Sequence, residues 1–273
     1  MRRVNDYSTR EKVLKAVTKK GLTLKEVDEC FKDDPEIVLA AMDSSFGLAF
    51  QYASEKIRSD KSIAMKYLSE AVVSLKYIHE SLYNDLEIVA LSVQRSADTL
   101  SFLSEELQNN HDIVLKAVLA HGEALKYANA KFQNDYDIVH AAVQQNGKAL
   151  QYASEPLKSD PTIVQSAVAN HGKALYYANE LFRDDREVVL MAVKHRGEVL
   201  SVASKRLRAD KEIVLNAVSC YEQKFKKTSV LYYAHKSLKC DKEVAVQALI
   251  NNKKALKYIC TELKSDANIL KVL

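Results

Sequence analysis

Seven histidines, four cysteines and a recurring series of aspartates are the side chains here that could carry chemistry, and their spacing argues against each obvious use. Cys30, Cys220, Cys240 and Cys260 form no CxxC pair. The last three are spaced by twenty residues, without the close histidine or cysteine partner that zinc ligand sets use. They read as reduced thiols in a cytosol-like compartment, and no metal site is expected. His121 and His171 precede glycine in matching contexts, HGEALKYAN and HGKALYYAN. No Ser–His–Asp arrangement, glycine-rich phosphate loop or HExxH motif can be read. The aspartates recur in a fixed frame, D-x-[ED]-I-V, which marks helix starts rather than paired acids. The expectation is a protein with no catalytic residues and no cofactor.

The element that positions all these residues is a 25-residue repeat, seen most clearly from Asp135 to Ser159 as DYDIVHAAVQQNGKALQYASEPLKS. Its starts fall at Thr9, Asp34, Asp60, Asp85, Asn110, Asp135, Asp160, Asp185, Asp210, Asp241 and Asp266. Asp, Asn and Thr accept hydrogen bonds from the free N–H groups of a helix start. A carboxylate two residues on, as in Glu36 or Asp137, suits the positive end of the helix dipole. Pro35 and Pro161 stand at the first helical position, where a missing N–H costs nothing. Ile138, Val139, Ala142 and Val143 then make one helical stripe. Six glycines, among them Gly47 and Gly147, fit a left-handed residue closing that helix. A second helix follows, with Ala149, Leu150, Tyr152 and Ala153 as its packing set. Pro156 ends it near Ala153, and Ser154 can cap a last turn that brings Leu157 into the core. Such short helices need their neighbours. The fold class expected is all-α, an α-solenoid of about ten stacked helix-pair units. Histidines two layers apart, such as His121 and His171, are then roughly 16–20 Å apart and cannot share an ion.

The repeated IVxxAV…GxALxYAS pattern resembles an uncharacterised α-helical repeat family, a domain of unknown function found in proteins of intracellular bacteria, such as Legionella effectors, and in some protists. The resemblance covers Thr9 to Leu273. It implies a repeat scaffold, part of a bacterial effector delivered into a host cytosol, and brings no catalytic residues with it.

One array is expected over 1–273. Residues 1–33 form an atypical N-terminal cap unit, in which Glu26 takes the tyrosine place. Regular units run over 34–209, although Val72 and Ala97 replace glycine and should give their loops a different backbone conformation. Ala64 and Tyr67 replace the usual Val and Ala, which disturbs the regular stack there. The unit at 210–240 carries a loop insertion, SCYEQKFKK, and 241–273 holds the C-terminal units. The chain stops inside the first helix of an eleventh unit: either a longer protein is cut there, or that helix covers the last layer alone. No apolar run approaches the roughly 20 residues that span a bilayer.

Two columns of the repeat bear on binding. Tyrosine recurs at Tyr52, Tyr77, Tyr127, Tyr152, Tyr177, Tyr233 and Tyr258, with Phe102 in an eighth unit. It reads as packing or as a ladder for stacking on bases, and its regularity favours packing. The sixth residue of the unit is mostly apolar, from Leu14 and Leu39 to Leu215 and Val246, but is interrupted by His140 and Gln165. That column is either a second buried contact or an apolar groove. His140, Gln165 and the insertion residues Tyr221, Lys224, Phe225, Lys226 and Lys227 are therefore the candidate partner-binding residues. Charge is uneven: residues 205–273 hold 15 basic and 7 acidic side chains against 25 and 29 in residues 1–204. A protein or peptide partner is the first reading, in a cytoplasmic setting. A nucleic acid on the basic third is the alternative.

Overall fold

The computed structural model describes residues 7–70, 75–220 and 229–272, all helix, turn and loop with no strand among them. The chain divides into two compact units, Met1–Asn129 and Ala130–Leu273. In each, with one exception in the earlier unit, the first helix of one repeat packs on the first helix of the next. In the earlier unit Arg10–Lys19 packs on Pro35–Asp43, and Leu86–Arg95 on Lys61–Glu70 and His111–Ala120. In the later one Tyr136–Gln145, Pro161–Asn170, Arg186–His195, Lys211–Ser219, Lys242–Asn251 and Ala267–Val272 follow in the same way. This is the expected all-α repeat stack.

Asp135 shows how a repeat is built. Its carboxylate accepts from the Ile138 N–H at 3.0 Å and starts the helix Tyr136–Gln145. Each starting residue from Thr9 to Asp266 makes such a cap. Ile138, Val139, Ala142 and Val143 are all fully buried. After Asn146, in extended backbone, comes not an α-helix but a 3-10 helix, Gly147–Tyr152, burying Ala149 and Leu150. A four-residue turn, Glu155–Lys158, closes the repeat. The unit is thus three segments rather than a helix pair. At about 2 Å per residue, six 3-10 residues span most of the length of the ten-residue α-helix, at about 1.5 Å each. Leu157 is only half-buried, and Ser154 gives its hydroxyl to Asn134 at 2.6 Å instead of capping the turn.

The glycines correct a second expectation. Among the described residues only Gly47, at φ 79°, and its neighbour Phe46, at φ 52°, are left-handed. That pair takes up the extra residue of the second repeat. Elsewhere the demand is for space. A Cβ on Gly147 would lie 2.1 Å from the Ala167 carbonyl oxygen, and one on Gly21 would lie 2.0 Å from that of Ala41. Glycine lets the carbonyl of the following repeat's helix sit against the chain. At Ala97 the 3-10 helix still begins in the usual place, after an extended Ser96, so the different loop expected there is not found. Val72 lies outside the described residues.

The third repeat departs from the regular stack, as its sequence suggests: among the described residues Lys61–Glu70 packs on Leu86–Arg95 but not closely on Pro35–Asp43. Ala64 and Tyr67 are both buried, and Tyr67 lies face to face with Phe50, ring centroids 4.4 Å apart. The Tyr67 hydroxyl is buried without a hydrogen-bond partner, and burial pushes its pKa well up. An unsatisfied buried hydroxyl costs about 1–3 kcal/mol. Tyr67→Phe, which keeps the ring stack, should therefore raise the urea midpoint by a gain of about 1 kcal/mol. A loss of stability would mean that the hydroxyl is satisfied after all.

Candidate functional site

The sixth-position column is not a second fully buried contact in any described repeat. Leu14, Leu39, Met65, Ala90, Leu115, Leu190, Leu215 and Val246 are all half-buried, and so is His140; Gln165 alone is exposed. Within each unit the column gives the first helices a half-buried, mostly apolar strip. At His140 that strip becomes polar. His140 Nε2 lies 3.3 Å from Ser166 Oγ and 3.2 Å from Gln144 Nε2, and both can donate to the unprotonated nitrogen. One turn earlier Tyr136, 43% exposed, sets its ring 5.7 Å from the imidazole. Tyr136, His140 and Gln144, at i, i+4 and i+8, thus present one aromatic and polar stripe. Structure brings His140 to Ser166, next to Gln165. The insertion residues Tyr221, Lys224, Phe225, Lys226 and Lys227 lie outside the described residues.

A charged rail borders this strip. Where the residue after the cap is basic, it reaches the cap of the next repeat and, in most cases, that repeat's third residue. Arg10 meets Asp34 at 2.6 Å and Glu36 at 2.5 Å, and Lys61 meets Asp85 at 2.8 Å and Glu87 at 2.7 Å. In the later unit Arg186 bridges Asp210 and Glu212, Lys211 bridges Asp241 and Glu243, and Lys242 meets Asp266. Hydrogen bonds from Arg10, Lys61 and Lys242 hold Asp34, Asp85 and Asp266 below the usual carboxylate pKa of 3.8. At Asp210 and Asp241 desolvation works the other way, and the bonds from Arg186 and Lys211 with the cap N–H groups outweigh it. A depressed folded pKa gives stability that is complete above the unfolded value and is lost as pH falls through the folded one. The melting temperature should therefore drop as pH goes below about 4. Removing a rail cation, as in Arg186→Gln, should make that drop shallower; an identical pH profile would show that the rail adds nothing.

The tyrosine column is half-buried at Tyr52, Tyr77, Tyr127, Tyr152, Tyr233 and Tyr258, whereas Tyr177 is exposed. Lysines cover several rings: Lys76 lies 5.5 Å from the Tyr77 centroid and Lys126 lies 5.1 Å from that of Tyr127. In the basic third a cleft of about 580 Å³ is lined by Lys205, Arg206, Arg208, Tyr232, Tyr233 and Lys236, among others. Tyr232 is 53% exposed and packs edge-on against Tyr233 and Tyr258. Arg206 is already held by Asp184 at 3.1 Å. Desolvation and the nearby Arg208 keep the Lys239 pKa below its ordinary value.

The two loop histidines differ. His121 Nε2 meets the Gln94 carbonyl at 3.2 Å, whereas His171 Nε2 is buried without a hydrogen-bond partner. Desolvation, then Lys148 and Arg196, hold His171 below the usual histidine pKa. The cysteines differ from expectation. All four are free thiols, but the donor atoms of Cys240, Cys260 and Glu262 lie within 4.8 Å of one another. The neighbouring Cys240 thiol, then desolvation and the Glu262 carboxylate, push Cys260 up to about 11. The spacing of Cys240 and Cys260 is twenty residues, five short of the repeat. It is the contact spacing between the last residue of one repeat and the residue before the closing turn of the next. Ser154 with Asn134 and Ser204 with Asp184 meet at that same separation.

Among the described residues no helix is long and apolar enough to cross a membrane. No curated protein and no solved structure matches the chain. The model of one family, described as a domain of unknown function (DUF4116), matches six times, over residues 9–46, 44–83, 85–133, 135–183, 185–223 and 223–264. With matches along nearly its whole length, the chain belongs to the DUF4116 family.

Proposed function

We propose that the chain is a non-catalytic scaffold that binds a protein or peptide along the half-buried strip of its first helices, in a cytosol, as a bacterial effector would use it. The observation that carries this reading is the half-buried column with its polar break at His140. A mostly apolar strip beside a charged rail offers area, and Tyr136, Gln144 and Gln165 offer adaptable hydrogen bonding, the mixture that protein interfaces use. A peptide library displayed on phage and selected on the immobilised protein supplies ligands for the test. His140→Leu and Gln165→Leu install the commonest residue of the column, so folding should be kept. Selected peptides should bind the double variant at least about tenfold more weakly, about 1.4 kcal/mol. Equal affinity for parent and variant would end this site assignment.

The aromatic, basic cleft at Tyr232 supports a second reading, a nucleic acid held by stacking and by Lys205, Arg208 and Lys236. Binding of single-stranded RNA is expected to be weak and to fall steeply with salt, because it rests on counterion release. Tight binding that persists at physiological salt would put this reading first.

A further inference from the structure

We propose that Cys240, Cys260 and Glu262 form a binding site for a soft divalent cation of the zinc class. Position comes first. Each repeat is tied to the one before by a backbone bond to the closing turn: the Ser154 N–H donates to the Gln133 carbonyl at 2.8 Å, that of Ser204 to Arg183 at 2.8 Å, and that of Cys260 to Lys239 at 3.1 Å. These bonds set side by side the side chain that carries the N–H and the residue after the carbonyl. In several other repeats that pair is polar and hydrogen-bonded, as Asn134 with Ser154 at 2.6 Å, or Asp33 with Ser54 at 2.7 Å. Here both members are cysteine, whose thiols are weak donors and weak acceptors. Cys260 still meets Cys240 and Glu262, but two sulfur ligands stand where those repeats place oxygen and nitrogen.

Glu262 decides between the two uses of such a pair. Its carboxylate reaches the same spot, with all three donor atoms inside 4.8 Å. A third anionic donor serves a cation and does nothing for a disulfide. Zinc holds thiolate sulfur at about 2.3 Å and carboxylate oxygen at about 2.0–2.2 Å, so two sulfurs on one tetrahedral ion stand about 3.8 Å apart. Small side-chain rotations reach that geometry, because Cys240 and Glu262 are exposed and Cys260 is half-exposed. Thiolates select zinc and its soft neighbours over magnesium or calcium. Three protein ligands leave a fourth position for water or for another ligand. The ion would clamp the repeat from Asp210 to the repeat from Asp241, independently of where a peptide binds.

The test uses the full chain, reduced with a phosphine and freed of metal. Cobalt(II) should give a thiolate-to-metal charge-transfer band that saturates at one ion per chain. Zinc should displace it and raise the melting temperature. The double variant Cys240→Asn, Cys260→Ser recreates the Asn134–Ser154 pair and so should fold, as its metal-free melting temperature will show. It should lose the band and bind zinc more than about a hundredfold more weakly, beyond the loss of an outer-shell partner. Glu262→Gln should weaken binding about tenfold or more, while Cys30→Ser and Cys220→Ser change nothing. Zinc affinity kept by the double variant, or unchanged by Glu262→Gln, would overturn the assignment. So would a reduced protein that takes up no cobalt and instead closes a Cys240–Cys260 disulfide in air.

Discussion

Ala142→Asp should be among the most damaging single substitutions in the later unit, lowering stability by about 3–5 kcal/mol, the cost of leaving a buried charge without a partner. Ala142 is fully buried, in the stripe by which the helix Tyr136–Gln145 packs on Pro161–Asn170 and on its own 3-10 segment. Its carbonyl already accepts the Asn146 N–H at 2.9 Å, at the point where the helix ends. An aspartate must either ionise inside the stack or take up a proton at a large cost in pKa. Short helices have little stability of their own, so damage to one layer also loosens its neighbours. Urea unfolding followed by circular dichroism checks this. An unchanged midpoint would mean that the helical register is wrong.

Gly147→Ala should cost about 1–3 kcal/mol, as overpacking of a close-packed site does, although Ala is ordinarily the better residue in a helix. The added methyl would sit 2.1 Å from the Ala167 carbonyl oxygen and 3.0 Å from the backbone nitrogen and Cβ of His171. That carbonyl accepts the His171 N–H at 2.8 Å, so it cannot swing away without loosening the end of the next helix. Comparison of thermal midpoints for parent and variant is the check. A rise in stability would return the glycine to a conformational role and remove the close approach from the account.

Much of the repeat was legible in the sequence because its signals are local. Asp135 caps within three residues, and Ile138, Val139, Ala142 and Val143 repeat at helical spacing, so cap and core stripe could be read directly. The 3-10 character of Gly147–Tyr152 could not, because six residues with Ala149, Leu150 and Tyr152 on one side suit either helical period. The role of the glycines was hidden for another reason: their demand comes from a carbonyl twenty residues away rather than from their own φ. Rail pairs such as Lys61 with Asp85 and Glu87 were open to discovery at separations of 24 and 26 residues, had the basic residue after each cap been set against the next cap. The meeting of Cys240 and Cys260 follows from the same arithmetic, since twenty is the repeat less the five residues from the closing-turn cap to the end of the unit. At His140 the sequence pointed to a break in the column, and structure adds what fills it: Ser166, Gln144 and the Tyr136 ring.

The binding surface can be tested most directly by amide hydrogen exchange on the full chain, with and without a peptide selected on it. Added peptide should slow exchange in the helices Tyr136–Gln145 and Pro161–Asn170, which carry His140 and Gln165. Protection confined to the basic third around Tyr232, or no protection at all at saturating peptide, would contradict the account.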